Sequence, residues 1–277
     1  MLFRSYTAIK SAISNASLRE ESIDYLFAGD LLNQITSSSF AARELNIPFI
    51  GLYGACSTMS ESLSMASLFL DGGCGDYVVA STSSHFSAAE RQFRFPLEYG
   101  SQRCPTCQWT VTGSGAMVLG RTGDFPKVTY VTTGVVKDYG IKDPNNMGAA
   151  MAPAAVDTIY NHFKDTGRTP KDYDIIATGD LGKVGKEITT KLLLDYGYDV
   201  KDNYVDCGDL IQGSALAHYL SKQKLQKNPI LEGLEAIGYD AYVIGNHEFN
   251  FGMNKLNDFI NQTNDNLRSE ERRVGKE

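Results

Sequence analysis

One order of secondary structure is predicted twice in this chain of 277 residues. A helical pattern of apolar residues over Tyr6–Ala16 is followed by a strand-like run, Ser22–Ala28, that leads into Gly29-Asp30-Leu31. Much later, an apolar helix face from Ala155 to Phe163 precedes a strand-like run that leads into Gly179-Asp180-Leu181. A repeat of this kind predicts an internal duplication, with two α/β halves that each have their own sheet.

A cysteine lies between a predicted strand and a predicted helix in the first half. The apolar run Ile47–Leu52 leads into Gly54-Ala55-Cys56, and a helical pattern begins directly behind it, with Thr58 and Glu61 at the spacing of a capping box. The positive end of the helix dipole is expected to lower the pKa of Cys56 and to attract an anion. Most free cysteines are buried and unreactive, so a packing role is the alternative.

A second apolar strand, Tyr77–Ala80, leads into Thr82-Ser83-Ser84-His85. We expect this strand and the one before Cys56 to end at the same edge of a sheet, with the cysteine and histidine around one anion-binding hollow. Two further segments, Val111–Leu119 and Lys127–Val136, are rich in β-branched residues and are predicted to be strands.

Charge and cysteine content exclude several classes of function. A net charge of −7 gives no reason to expect nucleic-acid binding. No apolar run has the roughly 18 residues that a membrane-spanning helix needs. Five cysteines, an odd number, are typical of a reducing compartment rather than of a disulfide framework. The pair Cys104 and Cys107 has no second such pair, so no zinc site is expected.

Several strings of the first 207 residues together resemble the stage V sporulation protein AD family of spore-forming bacteria. They are Phe27–Gln34, Gly54–Thr58, Thr82–His85 with Ala89–Arg94, Thr110–Ala116, and Met147-Gly148 with Met151–Ala155. The resemblance implies a thiolase-like fold of duplicated α/β halves. It also implies a protein that binds dipicolinic acid, a pyridine dicarboxylate, for uptake into the spore, and that is not an enzyme.

Residue roles and surroundings come from the same resemblance and from the predicted placement. The candidate ligand-binding residues are Cys56, His85 and Arg91, since arginine suits bidentate contact with a carboxylate. No cofactor is expected. The expected partners are dipicolinic acid and membrane proteins of the spore uptake assembly, with a homodimer possible and no nucleic acid. The expected location is the cytoplasm, peripheral to the spore inner membrane.

Two other functions are consistent with the fold that the resemblance implies. In the first, Cys56 is the nucleophile of a thiolase-type acyltransferase that acts on acyl-coenzyme A, which requires a general base and an oxyanion hole. Thiolases take their remaining histidine and cysteine from late in the second half, where this chain no longer resembles them. In the second, the protein is a scaffold with no ligand.

The segment from residue 208 onward resembles a different family. Gly208–Ser214 and Gly245–Gly252 are similar to motifs of calcineurin-like metallophosphoesterases of the nucleotidase and cyclic-nucleotide phosphodiesterase type. The resemblance implies that Asp209 bridges two divalent metals, that Asn246 is a metal ligand, and that His247 contacts the phosphate. These are too few ligands for a dinuclear site, so we expect an orphan βαβ fragment that is inactive alone.

These resemblances predict four segments. Residues 1–140 are an N-terminal thiolase-like half without the family's first strand, and residues 141–207 are part of the second half. Residues 208–262 are the phosphoesterase-like fragment, and residues 263–277 are a disordered tail. The two resemblances meet without a linker, and residues 268–277 resemble a translated sequencing adapter. We therefore hypothesise that the reading frame is a chimera.

Overall fold

The computed structural model of the chain describes residues 2–85, 112–143, 146–179 and 181–206, with a few short pieces beyond residue 226. The chain divides into two compact units. The first unit contains Met1–Gly100 and Thr110–Val131, and the second contains Ser101–Trp109 and Thr132–Glu277. Arg91, Asp209, Asn246 and His247 lie outside the described residues.

The first unit is built on a four-stranded sheet. Its elements are α1 (Leu2–Asn15), β1 (Tyr25–Asp30), α2 (Thr36–Leu45), β2 (Phe49–Gly51), α3 (Thr58–Asp71), β3 (Tyr77–Ser84) and β4 (Gly113–Gly120). The strand order is β2-β1-β3-β4, with β1 parallel to both of its neighbours and β4 antiparallel to β3. Because β1, β2 and β3 are parallel, their carboxyl ends lie at one edge of the sheet.

The two faces of β1 carry two separate hydrophobic clusters. Leu26 and Ala28 pack with apolar residues of α1 and α2, whereas Phe27 packs with Ala66 and Leu70 of α3. Successive side chains of a strand point to opposite faces, so a strand covered on both sides is apolar along its whole length. This arrangement puts α1 and α2 on one face of the sheet and α3 on the other.

The second unit repeats the order of the first. It contains α4 (Met147–Thr166), β5 (Ile176–Thr178), α5 (Gly182–Asp195) and β6 (Tyr204–Asp206), and β5 pairs in parallel with β6 as β1 does with β2. In each half a short 3-10 helix precedes the first strand, at Glu20–Ser22 and at Pro170–Asp172. The duplicated α/β order predicted from the sequence is therefore present.

One predicted strand is absent. Residues 127–136 form no strand, and Val128 and Val136 are 52% and 98% exposed. A β-branched segment becomes a strand only where another strand supplies ladder hydrogen bonds, and within the described residues none pairs with this one. The other segment, predicted as Val111–Leu119, does form a strand, β4. Further along the chain, β7 (Ala241–Tyr242) pairs with β8 (Arg268–Ser269).

Among the described residues, no helix has both the length and the apolar character needed to cross a membrane.

Candidate ligand site at the carboxyl edge of the first sheet

Two of the predicted site residues lie at the same edge of the first sheet. Cys56 lies in a 3-10 turn, Ala55–Ser57, between β2 and α3, and His85 directly follows β3. Since β1 lies between β2 and β3, the end of β1 at Asp30 separates the two positions. The prediction that both residues lie at the same edge is confirmed by this topology, with β1 between them.

The turn that carries Cys56 is held by a close backbone approach. A Cβ atom on Gly29 would lie 2.3 Å from the carbonyl oxygen of Leu52 and 2.9 Å from Cγ2 of Thr58, so only glycine fits there. Thr58 is fully buried, and its hydroxyl has no partner among the described residues. Ser57, the N-cap residue of α3, instead donates its hydroxyl to the carbonyl of Gly54, at 2.8 Å.

The predicted capping box at the start of α3 is wrong. Thr58 has helical backbone angles and is the first residue of the helix, so its hydroxyl is not in the N-cap position. A buried oxygen of the Glu61 carboxylate likewise has no partner in the described part of the chain. The side chain of Thr58 is fixed by its packing against Gly29. This contact joins residues that are far apart in the sequence, so a local sequence motif cannot predict it.

The expected lowering of the Cys56 pKa is also wrong. Cys56 is a free and exposed cysteine. Protein atoms around the sulfur nevertheless desolvate the thiolate, and this raises the pKa of the thiol above its ordinary value. A backbone hydrogen bond acts in the opposite direction but is the smaller effect. The thiol of Cys56 is therefore mainly protonated at neutral pH.

His85 lies in a more positive environment. It is half-buried, and burial followed by nearby positive charge, which includes Arg4 of α1, lowers the pKa of its imidazole. Arg4 donates a hydrogen bond to the carbonyl of Thr112, directly before β4. Sequence reasoning did not select Arg4, because it lies 81 residues before His85 and only the fold brings its charge to this edge.

Asp30 is the buried group between these two positions. Its carboxylate is 4% exposed and accepts hydrogen bonds from the hydroxyls of Ser38 and Ser83, at 2.7 and 2.6 Å. It also accepts from the backbone N–H groups of Ser37 and Ser38, at 2.8 and 3.4 Å. The N-terminus of α2 is therefore occupied by a carboxylate of the chain itself.

Hydrogen bonds to two hydroxyl groups hold the imidazole of His162 in the second unit. Its two ring nitrogens lie 2.7 Å from the hydroxyl of Thr132 and 2.5 Å from that of Tyr173. The described residues contain no group of three or more histidine, cysteine or acidic side chains placed to hold a metal ion. The phosphoesterase-like motif residues are not among those described, so the ligand roles that the resemblance implies for them, and the expectation that they form an incomplete site, stay predictions.

Comparison with known proteins decides the family. The stage V sporulation protein AD family matches residues 4–218. The chain belongs to this family. Stage V sporulation protein AD of Bacillus subtilis strain 168 is 50% identical over 204 residues, which are 74% of this chain and 60% of the relative. The chain thus spans about three fifths of this sporulation protein's length.

Two solved structures have a similar fold. OleA of Xanthomonas campestris with bound lauric acid and lauroyl-CoA has a TM-score of 0.52 and 15% identity, over 73% of this chain and 67% of the other. The 3-oxoacyl-[acyl-carrier-protein] synthase III of Aquifex aeolicus has a TM-score of 0.51 and 14% identity, with the same coverage of both chains. At this level of identity the likeness shows the fold alone, and that fold is thiolase-like.

The chain is also similar to a second group. The 2',3'-cyclic-nucleotide 2'-phosphodiesterase/3'-nucleotidase of Haemophilus influenzae is 37% identical over 122 residues, which are 43% of this chain and 19% of the relative. This match is longer than the segment 208–277, so it includes part of the stretch that matches the sporulation family. A similar relative from Salmonella typhimurium is 31% identical over 118 residues, 41% of this chain and 18% of that one.

Proposed function

We propose that this chain binds dipicolinic acid, without catalysis, at the carboxyl edge of the first sheet. The observation that carries the proposal is the parallel order β2-β1-β3, because it puts Cys56 and His85 on either side of the end of β1. The ligand class is the one expected from the family resemblance, and the fold has an edge where ligands of open α/β sheets commonly bind.

Charge at this edge favours an anion on the His85 side. Arg4 adds positive charge near His85. Glu61 lies in the first turn of α3, behind Cys56, and one of its carboxylate oxygens has no hydrogen-bond partner within the described residues. An anion is repelled by Glu61 and attracted by Arg4. We therefore propose that the carboxylates of the ligand face Arg4 and His85, and that its ring lies toward Cys56.

Backbone strain at the same edge supports a functional role. Ala55, directly before Cys56, has a φ of 50°, and Ile35, directly before α2, has a φ of 43°. Left-handed geometry costs a residue with a Cβ about 1–2 kcal/mol. Such residues cluster at binding sites, where the surrounding structure holds them in place.

Titration calorimetry of the chain with dipicolinate tests the proposal. We expect His85→Ala and Arg4→Ala to weaken binding about tenfold each, the loss of roughly one charge-assisted contact. Glu61→Gln should strengthen it, because the repelling charge is removed. Cys74→Ala is the matched control for Cys56→Ala, since both are free and exposed and Cys74 follows the opposite end of α3. Unchanged affinity in the His85, Arg4 and Cys56 variants would exclude this edge.

The rival activity, acyl transfer by Cys56, has one observation in its favour. The cysteine is exposed at a strained turn, where an acyl-coenzyme A thioester would have access to it. The raised pKa opposes it, because attack requires the thiolate. Mass spectrometry after incubation with acyl-coenzyme A separates the two functions, since a covalent adduct on Cys56 that is absent from Cys56→Ala would establish acyl transfer.

We also propose, from family membership, that the chain works at the cytoplasmic side of the spore inner membrane with membrane proteins of the uptake assembly. This role needs no cofactor. Fractionation of sporulating cells that carry the tagged chain tests the location. Recovery in the membrane fraction that is released by salt is the expected result for a peripheral protein.

A further inference from the structure

The carboxylate of Asp30 joins three elements of the first unit at the proposed ligand edge. It ends β1, it accepts two backbone N–H groups of the first turn of α2, and its Oδ1 accepts hydroxyl hydrogen bonds from Ser38 of α2 and Ser83 of β3. Both serines and the aspartate are at least nine-tenths buried. A buried carboxylate that accepts hydrogen bonds from two other elements holds them in one arrangement, so this connection is stiff.

The connection to β3 leads directly to a proposed ligand residue. Ser83 lies two residues before His85, and the backbone N–H of Leu31 donates to the carbonyl of Ser83, at 2.9 Å. Ser83 thus receives a backbone bond from the end of β1 and gives a side-chain bond to Asp30. The strand ends at Ser84, so both bonds lie close to the point where His85 leaves the sheet.

We propose that Asp30 is the positioning residue of the ligand site: through Ser83 it fixes the end of β3, and with it His85, relative to β1 and α2. Asp30 does not itself bind the ligand, because its oxygens are already occupied by four donors and its charge would repel an anion. The role is the orientation of a neighbouring group, as in sites where a buried carboxylate holds a histidine-bearing segment. This inference rests on the proposed function for its ligand.

The chain provides a matched pair of serines to test the proposal. Ser81 and Ser83 lie in the same strand and are both buried, but the hydroxyl of Ser81 donates to the carbonyl of Gly115 in β4, at 2.9 Å. Ser83→Ala and Ser81→Ala each remove one buried serine hydrogen bond from β3. Only Ser83→Ala removes a bond to Asp30. Both variants are therefore expected to lose stability, but only Ser83→Ala is expected to lose the positioning of His85.

Two measurements on the full chain give separate answers. By calorimetry with dipicolinate, we expect Ser83→Ala to weaken binding about fivefold more than Ser81→Ala, the effect of losing roughly one net hydrogen bond. Ser83→Thr, which keeps a hydroxyl, should restore most of the affinity. By NMR without ligand, Ser83→Ala should shift the imidazole resonances of His85, and Ser81→Ala should leave them in place.

The two failures are distinguishable. If the wild-type chain does not bind dipicolinate but Ser83→Ala alone shifts the His85 resonances, the proposed ligand is wrong and the positioning role stands. If Ser83→Ala and Ser81→Ala have the same effect on affinity and on the His85 resonances, the positioning role of Asp30 is overturned. Asp30→Asn should weaken dipicolinate binding more than Ser83→Ala does, and should shift the His85 resonances further. If Asp30→Asn does not fold, the serine variants decide the question.

Discussion

The two halves of the chain have the same order of elements but bury their first strands to different extents. In the first half, β1 lies between β2 and β3 and is buried along nearly its whole length. In the second half, β5 pairs with β6 alone within the described residues, and none of its three residues is buried. Within the described residues, the first strand of each half is therefore buried where strands flank it on both sides and more exposed where one strand does.

The difference also locates the candidate site. In the first half, the Gly-Asp-Leu that ends β1 packs under a neighbouring turn, and Asp30 is tied to α2 and β3. In the second half, a Cβ atom on Gly179 would meet no atom of the described chain within 4 Å. Among the described residues, the glycine of the repeated motif is therefore closely packed in the first half and open in the second, although Leu181 of the second copy is buried.

The largest expected contrast between the halves is in how much stability is lost when an apolar side chain in or beside the first strand is truncated. Phe27→Ala in β1 should lower the free energy of unfolding of the first unit by about 3–5 kcal/mol, because the ring is fully buried and lies 4.8 Å from that of Phe69. Ile175→Ala, next to β5, should change stability by less than about 0.5 kcal/mol, because that side chain is 58% exposed. Denaturant unfolding with hydrogen exchange of each unit measures both, and equal effects would contradict the contrast.

The glycines of the repeated motif give the next contrast. Gly29→Ala should destabilise the first unit by about 1–3 kcal/mol, because its Cβ would lie 2.3 Å from the carbonyl oxygen of Leu52. Gly179→Ala serves as the control and should be close to neutral. Thermal unfolding of the two variants tests this, and a neutral Gly29→Ala would show that the β2–α3 turn can move away from β1.

A smaller effect is expected where the first helix of each half ends. Gly167 follows α4 with a φ of 68°, and Ser17, shortly after α1, has a φ of 56°. Ser17→Gly should stabilise the first unit, and Gly167→Ala should destabilise the second, each by about 1 kcal/mol, because left-handed geometry favours glycine. Chemical denaturation measures both changes, and changes of the same sign would contradict the equivalence of the two positions.

The smallest expected effect is on pH dependence. Burial, followed by the charge of Arg168, lowers the pKa of His162, and burial also lowers that of His85. A histidine whose folded-state pKa is below its unfolded value, near 6.5, binds fewer protons when folded. The contribution of such a histidine to the free energy of unfolding is therefore complete above the unfolded pKa and is lost as the pH falls below it. His162→Gln should reduce the loss of stability of the second unit on acidification, as measured by unfolding at several pH values.

Local patterns in the sequence predicted most of the first unit's elements. The apolar periodicity over Tyr6–Ala16 corresponds to α1, and the helical pattern behind Cys56 corresponds to α3. The predicted strand Ser22–Ala28 is shifted, because Glu20–Ser22 form a 3-10 helix and β1 runs from Tyr25 to Asp30. Periodicity identifies an element, but its ends depend on the hydrogen bonds of its neighbours.

The site was predicted less completely, because its determinants are contacts between distant residues. Cys56 and His85 were selected from their positions after strands, and the parallel topology confirms the shared edge. Arg4 could not be selected, since only the packing of α1 beside β4 brings its charge near His85. The predicted direction of the Cys56 pKa shift was wrong because desolvation by surrounding atoms outweighs the backbone hydrogen bond that lowers the pKa. Desolvation of this kind is not visible in a local motif.

The antiparallel pairing of β4 has a consequence for engineering this edge. Ser84 and Gly113 are partners at the end of the β3–β4 ladder, so the chain leaves the sheet and returns to it at adjacent points, about 5 Å apart. The connection between them, which includes Arg91, can therefore be replaced by a short turn without lengthening or breaking the ladder. Such a loop exchange would separate what the sheet contributes to ligand affinity from what the connection contributes.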